Sequence, residues 1–178
     1  MVNTTLNSKK GFYVGDICYV LDDNVYDDIW GKAGYEDGVY ETPFGQFAKF
    51  AVASTAYGDG SYADQFGHEY GVDAGVIGIV PWELLEHQKK WQHCYGREGT
   101  DEEKLNYLGH FFEGTEADFY ATGRDGNPDG DGLFEITIGD KSVTIRTDDD
   151  GDYDEDYYEE DEDYYDQDWI AGDPDDDF

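Results

Sequence analysis

Alternation of apolar and polar residues predicts a β-hairpin around Gly139-Asp140, which is the clearest local pattern in the chain. FEITI before that turn and KSVTIRT after it both alternate, and Gly-Asp suits a two-residue turn. Aromatic and β-branched residues predict three earlier strands, over residues 12–20, 47–54 and 68–80. The last is the most apolar segment, so we expect it to be the central strand. Between the second and the third, TAYGDGSYAD predicts a hairpin with Asp59-Gly60 at its tip.

Two helices are predicted between the early and the late strands. Pro81 is typical of a helix start, and the apolar residues of WELLEHQKKWQHCY recur on neighbouring turns, which predicts a helix over residues 82–95. Thr100 and Glu103 have the spacing of a capping box, so a second helix is expected to follow over EEKLNYLGHFF, residues 102–112.

A shorter helix is expected between the first two strands, with Asp22 or Asp23 at its N-terminus and Gly31 after its end at Trp30. Helices that lie between groups of strands, and do not alternate with single strands, are typical of α+β proteins. The sequence therefore predicts an α+β fold: a mostly antiparallel β-sheet with two to three short helices and an acidic C-terminal tail.

The charge of the chain argues against one class of function. Its 178 residues include 44 Asp and Glu against 11 Lys and Arg, a formal net charge of −33. A surface of this sign repels phosphates, so direct binding to nucleic acid or to an anionic membrane is not expected. No apolar segment approaches the roughly 20 residues of a membrane span. Two cysteines are too few for a disulfide framework, so we expect a cytoplasmic protein.

Acidic residues are concentrated at the C-terminal end. After Arg146, the last basic residue, 18 acidic residues follow, so we expect a globular domain over residues 1–146 and a tail over residues 147–178. Aromatic residues lie among the acids at intervals of four and seven, which predicts one face of a helix over about 152–170. A helical tail would carry about one charge per 2.7 Å, near the roughly 1.7 Å of duplex DNA, whereas an extended tail would carry about one per 6 Å.

An ordered acidic tail with aromatic side chains indicates a nucleic-acid mimic. We expect a non-enzymatic inhibitor, or decoy, that occupies the basic nucleic-acid channel of a host nuclease or of another defence or transcription protein. The residues expected to bind are Asp148, Asp149, Asp150, Asp152, Asp154, Glu155, Asp156, Tyr157, Tyr158, Glu159, Glu160, Asp161, Glu162, Asp163, Tyr164, Tyr165, Asp166, Asp168 and Trp169. Three alternatives stay open: a solvated tail that only adds solubility, a virion or scaffold protein with an acidic docking tail, and an enzyme of unknown type.

A weak calcium site is the one cofactor that the sequence suggests. Residues 125–135 begin like an EF-hand loop, with candidate oxygen ligands at Asp125, Asn127, Asp129, Asp131 and Glu135. The match is partial, because Glu135 is the eleventh residue of the loop where the motif needs a twelfth. The same residue types also occur in an ordinary turn before a strand, which is the favoured interpretation.

For the enzyme alternative, five residues near predicted strand ends or turns are candidates for acid–base chemistry: Asp16, Asp59, His68, Glu69 and Asp73. They could perform it only if the fold brings a carboxylate pair and the histidine together. Each also has a structural interpretation, because Asp59 suits a hairpin tip and Asp73 suits a turn or bulge. The structural interpretation is the stronger one.

The first half of the chain resembles a known group of sequences. FYVGDICYVL, STAYGDGSYAD and YGVDAGVIGIVPWEL, within roughly residues 11–85, are similar to segments of a family of small uncharacterised proteins from phages and bacteria. The resemblance implies a phage or bacterial setting and a small β-rich fold. It implies no catalytic residue, cofactor or partner, and the late hairpin and the tail lie outside it.

Overall fold

Residues 1–93, 98–124 and 132–148 are described by the computed structural model of this protein. Their strands are β1 (Val2–Asn7), β2 (Gly11–Gly15), β3 (Gly38–Tyr40), β4 (Phe50–Ser54), β5 (Gly60–Ala63), β6 (Glu69–Val72), β7 (Val76–Pro81), β8 (His110–Glu113), β9 (Glu116–Ala121), β10 (Leu133–Ile138) and β11 (Lys141–Arg146). Their α-helices are short: α1 (Asp23–Val25), α2 (Trp82–Leu85), α3 (Lys90–His93) and α4 (Asp101–Leu108). A π-helical turn (Tyr26–Trp30) and two 3₁₀ turns (Ile17–Tyr19 and Gly31–Ala33) complete the helical segments described. None of the described helices is long and apolar enough to cross a membrane.

The strands form two main sheets and a separate hairpin. The outer sheet has the order β1-β9-β10-β11 and the central sheet has the order β3-β4-β7-β2-β8, with antiparallel pairing throughout. The hairpin β5–β6 reaches β11 through a bridge between Asp64 and Ile145. The predicted α+β fold, with a mostly antiparallel sheet and short helices, is therefore confirmed.

The inner strands of the central sheet are buried on both faces. Alternate side chains of β2 enter different cores: Phe12 and Val14 pack with residues of the outer sheet, whereas Tyr13 packs with the helices. Strand β7 divides its residues in the same way, and both strands are buried at every position. The described chain therefore has three layers: the outer sheet, the central sheet and the short helices.

Two local predictions are confirmed at the level of hydrogen bonds. Strands β10 and β11 pair along their whole length, and Gly139 between them has the left-handed φ of 64° that a two-residue turn requires. The capping box also forms, because Thr100 Oγ1 accepts from the backbone N–H of Glu103 and the Glu103 carboxylate accepts from the N–H of Thr100. The short helix expected after Asp22 forms as α1 and the turns that follow it.

The helix predicted over residues 82–95 is wrong as a single element, because it divides into α2 and α3. The Asp22 carboxylate accepts hydrogen bonds from the backbone N–H groups of Lys89 (2.6 Å) and Lys90 (2.9 Å), which starts a new helix there. Gln88, fully buried beside the break, accepts a hydrogen bond from the N–H of Asp22 through Oε1. Residues 94–97 lie outside the described part of the chain.

The helix predicted over residues 102–112 is too long. Helix α4 ends at Leu108, where Asn106 Oδ1 accepts a hydrogen bond from the backbone N–H of Phe111 (2.7 Å). Phe111 and Phe112 then lie in β8 and enter the two different cores, as neighbours in a strand do. The apolar residues that suggested a longer helix therefore belong to an edge strand.

The predicted central strand over residues 68–80 is two strands in different sheets. Strand β6 belongs to the separate hairpin and β7 to the central sheet, and the chain turns between them at residues 73–75. The hairpin tip predicted at Asp59-Gly60 is also wrong, because Gly60 already lies in β5 and the turn lies between Asp64 and His68. The strands predicted over 12–20 and 47–54 are shorter, as β2 and β4 show.

Gly78 in β7 lies very close to the neighbouring strand β4 and to the 3₁₀ turn that contains Ile17. A Cβ atom here would lie 2.6 Å from the carbonyl oxygen of Ala51 and 2.6 Å from Cγ2 of Ile17. We expect Gly78→Ala to lower the free energy of unfolding by about 2–3 kcal/mol, measured by urea denaturation. Gly38→Ala in β3 is the matched control, because a Cβ there meets nothing closer than 3.4 Å. Equal losses in the two variants would contradict this prediction.

Candidate functional site

Most residues expected to bind a partner lie outside the described residues. Of that set only Asp148 is described, and it is exposed. By its contacts the chain divides into two units, Met1–Asp148 and Asp149–Phe178, and the second is not described. The binding residues from Asp149 to Trp169 and the domain boundary after Arg146 therefore stay predictions.

The candidate calcium loop is described only at its end. Glu135 is exposed in β10, opposite Tyr120 of β9 and Thr144 of β11. The described residues contain no group of three or more His, Cys, Asp or Glu side chains that could hold a metal ion. The calcium site stays a prediction, because four of its five ligands lie outside the described residues: Asp125, Asn127, Asp129 and Asp131.

Two of the acid–base candidates, Asp16 and Asp73, are brought together by a structural arrangement. Asp16 is fully buried, and its carboxylate accepts hydrogen bonds from the backbone N–H groups of Cys18 (2.8 Å), Asp73 (2.7 Å) and Ala74 (2.7 Å). Burial raises the pKa of Asp16 above its ordinary value, and these N–H donors oppose that rise. Tyr19 donates its hydroxyl hydrogen to Asp73. Asp16 therefore ties the end of β2 to the turn before β7.

The other three acid–base candidates have separate surroundings. Asp59 is exposed immediately before β5. Glu69 is exposed on β6 and accepts a hydrogen bond from Ser61 Oγ (3.4 Å). His68 packs against His110, which no sequence pattern indicated, because β8 was expected to be part of a helix.

His68 and His110 belong to a cluster that joins the β5–β6 hairpin to β8. The centroid of the His68 ring lies 4.4 Å from that of His110 and 4.8 Å from that of Tyr70. His68 Nε2 lies 2.8 Å from the carbonyl oxygen of Gly109, which can only accept, so Nε2 carries the proton. The carboxylate of buried Asp64 accepts hydrogen bonds from the backbone N–H of His68 (3.0 Å) and from the Tyr70 hydroxyl (2.9 Å).

His110 is a poor acid or base at neutral pH. Its Nδ1 atom is buried and has no hydrogen-bond partner among the described residues. Burial, and secondly the neighbouring His68, lowers the pKa of His110 to about 4. A general base works best when its pKa lies near the working pH, so His110 is suited to packing and not to proton transfer.

A surface cleft of about 420 Å³ lies beside the π-helical turn. The described residues of its lining are three aromatic residues, four small or apolar residues and one arginine: Tyr26, Trp30, Tyr35, Ser54, Ala74, Gly75, Val76 and Arg124. The rings of Tyr26 and Tyr35 each meet Trp30 edge-on, with centroids 5.1 Å apart. Trp30 Nε1 donates to the carbonyl oxygen of Glu36 (2.9 Å), which fixes the indole at the base of the cluster.

Carboxylates border this cleft. Asp27 Oδ1 accepts a hydrogen bond from the Tyr35 hydroxyl (3.0 Å), and Asp37 Oδ1 accepts one from Ser54 Oγ (2.7 Å). Asp27 raises the pKa of Tyr35, because the phenol donates to a negatively charged oxygen. Acidic and aromatic side chains therefore occur side by side on the folded domain, as they do in the sequence of the tail.

No family model, no curated protein and no solved structure matches this chain. The resemblance to a phage and bacterial family therefore stays a prediction. Any function must be argued from the residues themselves.

The lowered pKa of His110 predicts a pH-dependent loss of stability. The unfolded imidazole takes up a proton near pH 6.5 and the folded one near pH 4, so its contribution to stability falls as the pH drops through this interval. Between about pH 7.5 and pH 5 we expect the wild type to lose about 1 kcal/mol relative to His110→Phe, after a discount for solvent screening. Urea denaturation at both pH values measures this difference.

The comparison with His110→Phe removes the effect of the other acidic groups, which titrate in both proteins. His93→Asn is a second control, because His93 is exposed on α3. A His110→Phe variant that keeps the full pH dependence of the wild type would show that His110 is not its source.

Proposed function

We propose that this protein is a non-enzymatic decoy whose acidic surface occupies the basic nucleic-acid channel of a partner protein. The observation that carries the proposal is the sign of the exposed surface. Nineteen of the described Asp and Glu residues are exposed, against eight of the described Lys and Arg residues. To these the sequence adds the acidic residues that follow Asp148.

The folded domain supports this proposal because it buries few of its described carboxylates. Asp16 and Asp64 are the fully or nearly buried ones among the described residues, and each accepts backbone hydrogen bonds. The exposed carboxylates lie where a partner's arginine can reach them, and charge-assisted pairs of this kind are strong and directional. Long-range attraction to a cationic channel also speeds association.

The attachment of the tail supports the same proposal. Thr147 is fully buried one residue after β11; its Oγ1 accepts from the N–H of Ala56 (2.8 Å) and donates to the carbonyl oxygen of Gly132 (2.8 Å). The acidic sequence therefore starts from a fixed point of the fold, which lowers the entropic cost of presenting it to a partner. We place the protein in the cytoplasm of a bacterial host, where a nuclease or another defence or transcription protein supplies the channel.

Neutralising the tail is expected to weaken inhibition of a basic nuclease. The variant replaces every Asp and Glu from 149 to 168 by Asn or Gln in the full-length chain and leaves the hydrogen bonds of Thr147 intact. We expect its inhibition constant against cleavage of duplex DNA to rise at least about tenfold, because the carboxylates supply the attraction. Inhibition by the wild type should also weaken between about 50 and 300 mM salt.

The matched control keeps every charge and replaces Tyr157, Tyr158, Tyr164 and Tyr165 by Ser. We expect an intermediate loss, because the rings supply apolar contact and stacking while the carboxylates supply the charge. Full inhibition by the neutralised variant would contradict the proposal, because it would show that the carboxylates of the tail do not contribute to inhibition.

A further inference from the structure

The cleft beside Trp30 has a lining that the decoy function does not require. Its volume of about 420 Å³ lies in the range of small-molecule sites, and aromatic walls with one fixed charged group are typical of such sites. Among the described residues of the lining, Arg124 is the one that carries a charge, in a chain whose net charge is −33. The cleft therefore presents one cationic side chain within an acidic surface.

Tyr35 occupies a backbone position that disfavours a tyrosine. Its φ of 56° makes it the one described residue other than glycine with a positive φ, and Gly34 before it has a φ of 83°. Gly or Asn adopts this conformation at lower cost. The contact of its ring with Trp30 and the hydrogen bond of its hydroxyl to Asp27 offset that cost.

The preceding helical turn leaves room for that ring. A Cβ atom on Gly31 would lie 2.9 Å from the Tyr35 hydroxyl oxygen, so any larger residue at position 31 would displace the phenol. The hydroxyl is held by Asp27 and the ring meets Trp30 edge-on, yet half of the Tyr35 surface (50%) stays exposed. Tyr35 is therefore an ordered and accessible ring at the edge of the cleft.

Arg124 is held in place at another part of the lining. Its Nε–H donates to the carbonyl oxygen of Thr55 (3.1 Å), and Nη2 lies 3.7 Å from the position that a Cβ on Gly58 would occupy. A guanidinium that is fixed through Nε can present its other N–H groups to a carboxylate or a phosphate. The nearby carboxylates of Asp27 and Asp37 already accept hydrogen bonds from Tyr35 and Ser54.

We propose that this cleft binds a small ligand that combines a planar ring with an anionic group. The ring contacts Tyr35 and Tyr26, and the anionic group pairs with Arg124. Nucleoside monophosphates and aromatic carboxylates share this chemistry. Because the net charge of the protein opposes any anion, both the ring contact and the guanidinium are needed for binding. The inference is independent of the decoy function, since it involves neither the tail nor a nuclease.

Calorimetric titration of the full-length protein with adenosine monophosphate, indole-3-acetate and uncharged adenosine tests the proposal. We expect at least one of the two anionic probes to bind saturably, with a dissociation constant below about 1 mM. If it is adenosine monophosphate, it should bind at least about tenfold more tightly than adenosine. The probe that binds identifies the phosphate or the carboxylate as the anionic group.

Two variants assign the binding to the cleft. Arg124→Gln should weaken the anionic probe by about tenfold or more, the usual effect of losing one charged hydrogen bond, and should leave adenosine unchanged. Arg146→Gln is its matched control, because Arg146 is an exposed arginine at the end of β11, and should change nothing. Tyr35→Gly relieves the positive φ and removes the ring, so it should weaken every probe.

Three results would overturn the proposal. The first is that neither anionic probe binds saturably. The second is that Arg124→Gln binds the anionic probe as tightly as the wild type does. The third is that Arg146→Gln weakens the anionic probe as much as Arg124→Gln does, because the effect would then come from the net charge and not from the cleft. The arginine variants keep the test decisive even if Tyr35→Gly fails to fold.

Discussion

Burial of the inner strands of the central sheet on both faces is the constraint on which the rest of the structure depends. Strands β2 and β7 have no side that contacts water, so their side chains must be apolar at almost every position. Backbone N–H groups next to the ends of these strands have no partner strand, so they need another hydrogen-bond acceptor. Asp16 is that acceptor at the end of β2 and accepts three backbone hydrogen bonds, two of them from the turn before β7.

The same use of a carboxylate recurs at other junctions of the fold. Asp22 accepts from the backbone at the start of α3, and Asp64 accepts from the turn of the β5–β6 hairpin. A strongly acidic chain risks repulsion between its own charges when it becomes compact. Asp16, Asp22 and Asp64 each lie where several backbone N–H groups point. These donors stabilise the negative charges and connect neighbouring elements of the fold.

The sequence predicts those elements that depend on local patterns. The β10–β11 hairpin has strict alternation and a Gly-Asp turn, and the start of α4 has a capping box, so both could be predicted from neighbouring residues. The break between α2 and α3 could not, because Asp22 lies far away in the sequence from the N–H groups that it accepts from. Strand β1 escaped prediction for another reason: of its six residues only Val2 and Leu6 are buried.

The candidate cleft was beyond sequence reasoning for the same physical reason as the helix break. Tyr35 follows the π-helical turn, whereas Arg124 follows β9, far away in the sequence. Only the packing of the sheets brings the two side chains to one surface. The local signal was limited to the tyrosine inside the glycine-rich segment GKAGYED. That segment predicts a turn. Only its backbone angles show that the tyrosine has a positive φ, which is otherwise found at glycines among the described residues.

The position of Thr147 has a consequence for the acidic segment that follows it. Its hydrogen bonds to Ala56 and Gly132 close the last described part of the fold one residue before the exposed Asp148. Insertions, deletions and substitutions beyond that point leave every described core contact in place. The acidic segment can therefore change in length or composition without altering the described β-sheet framework.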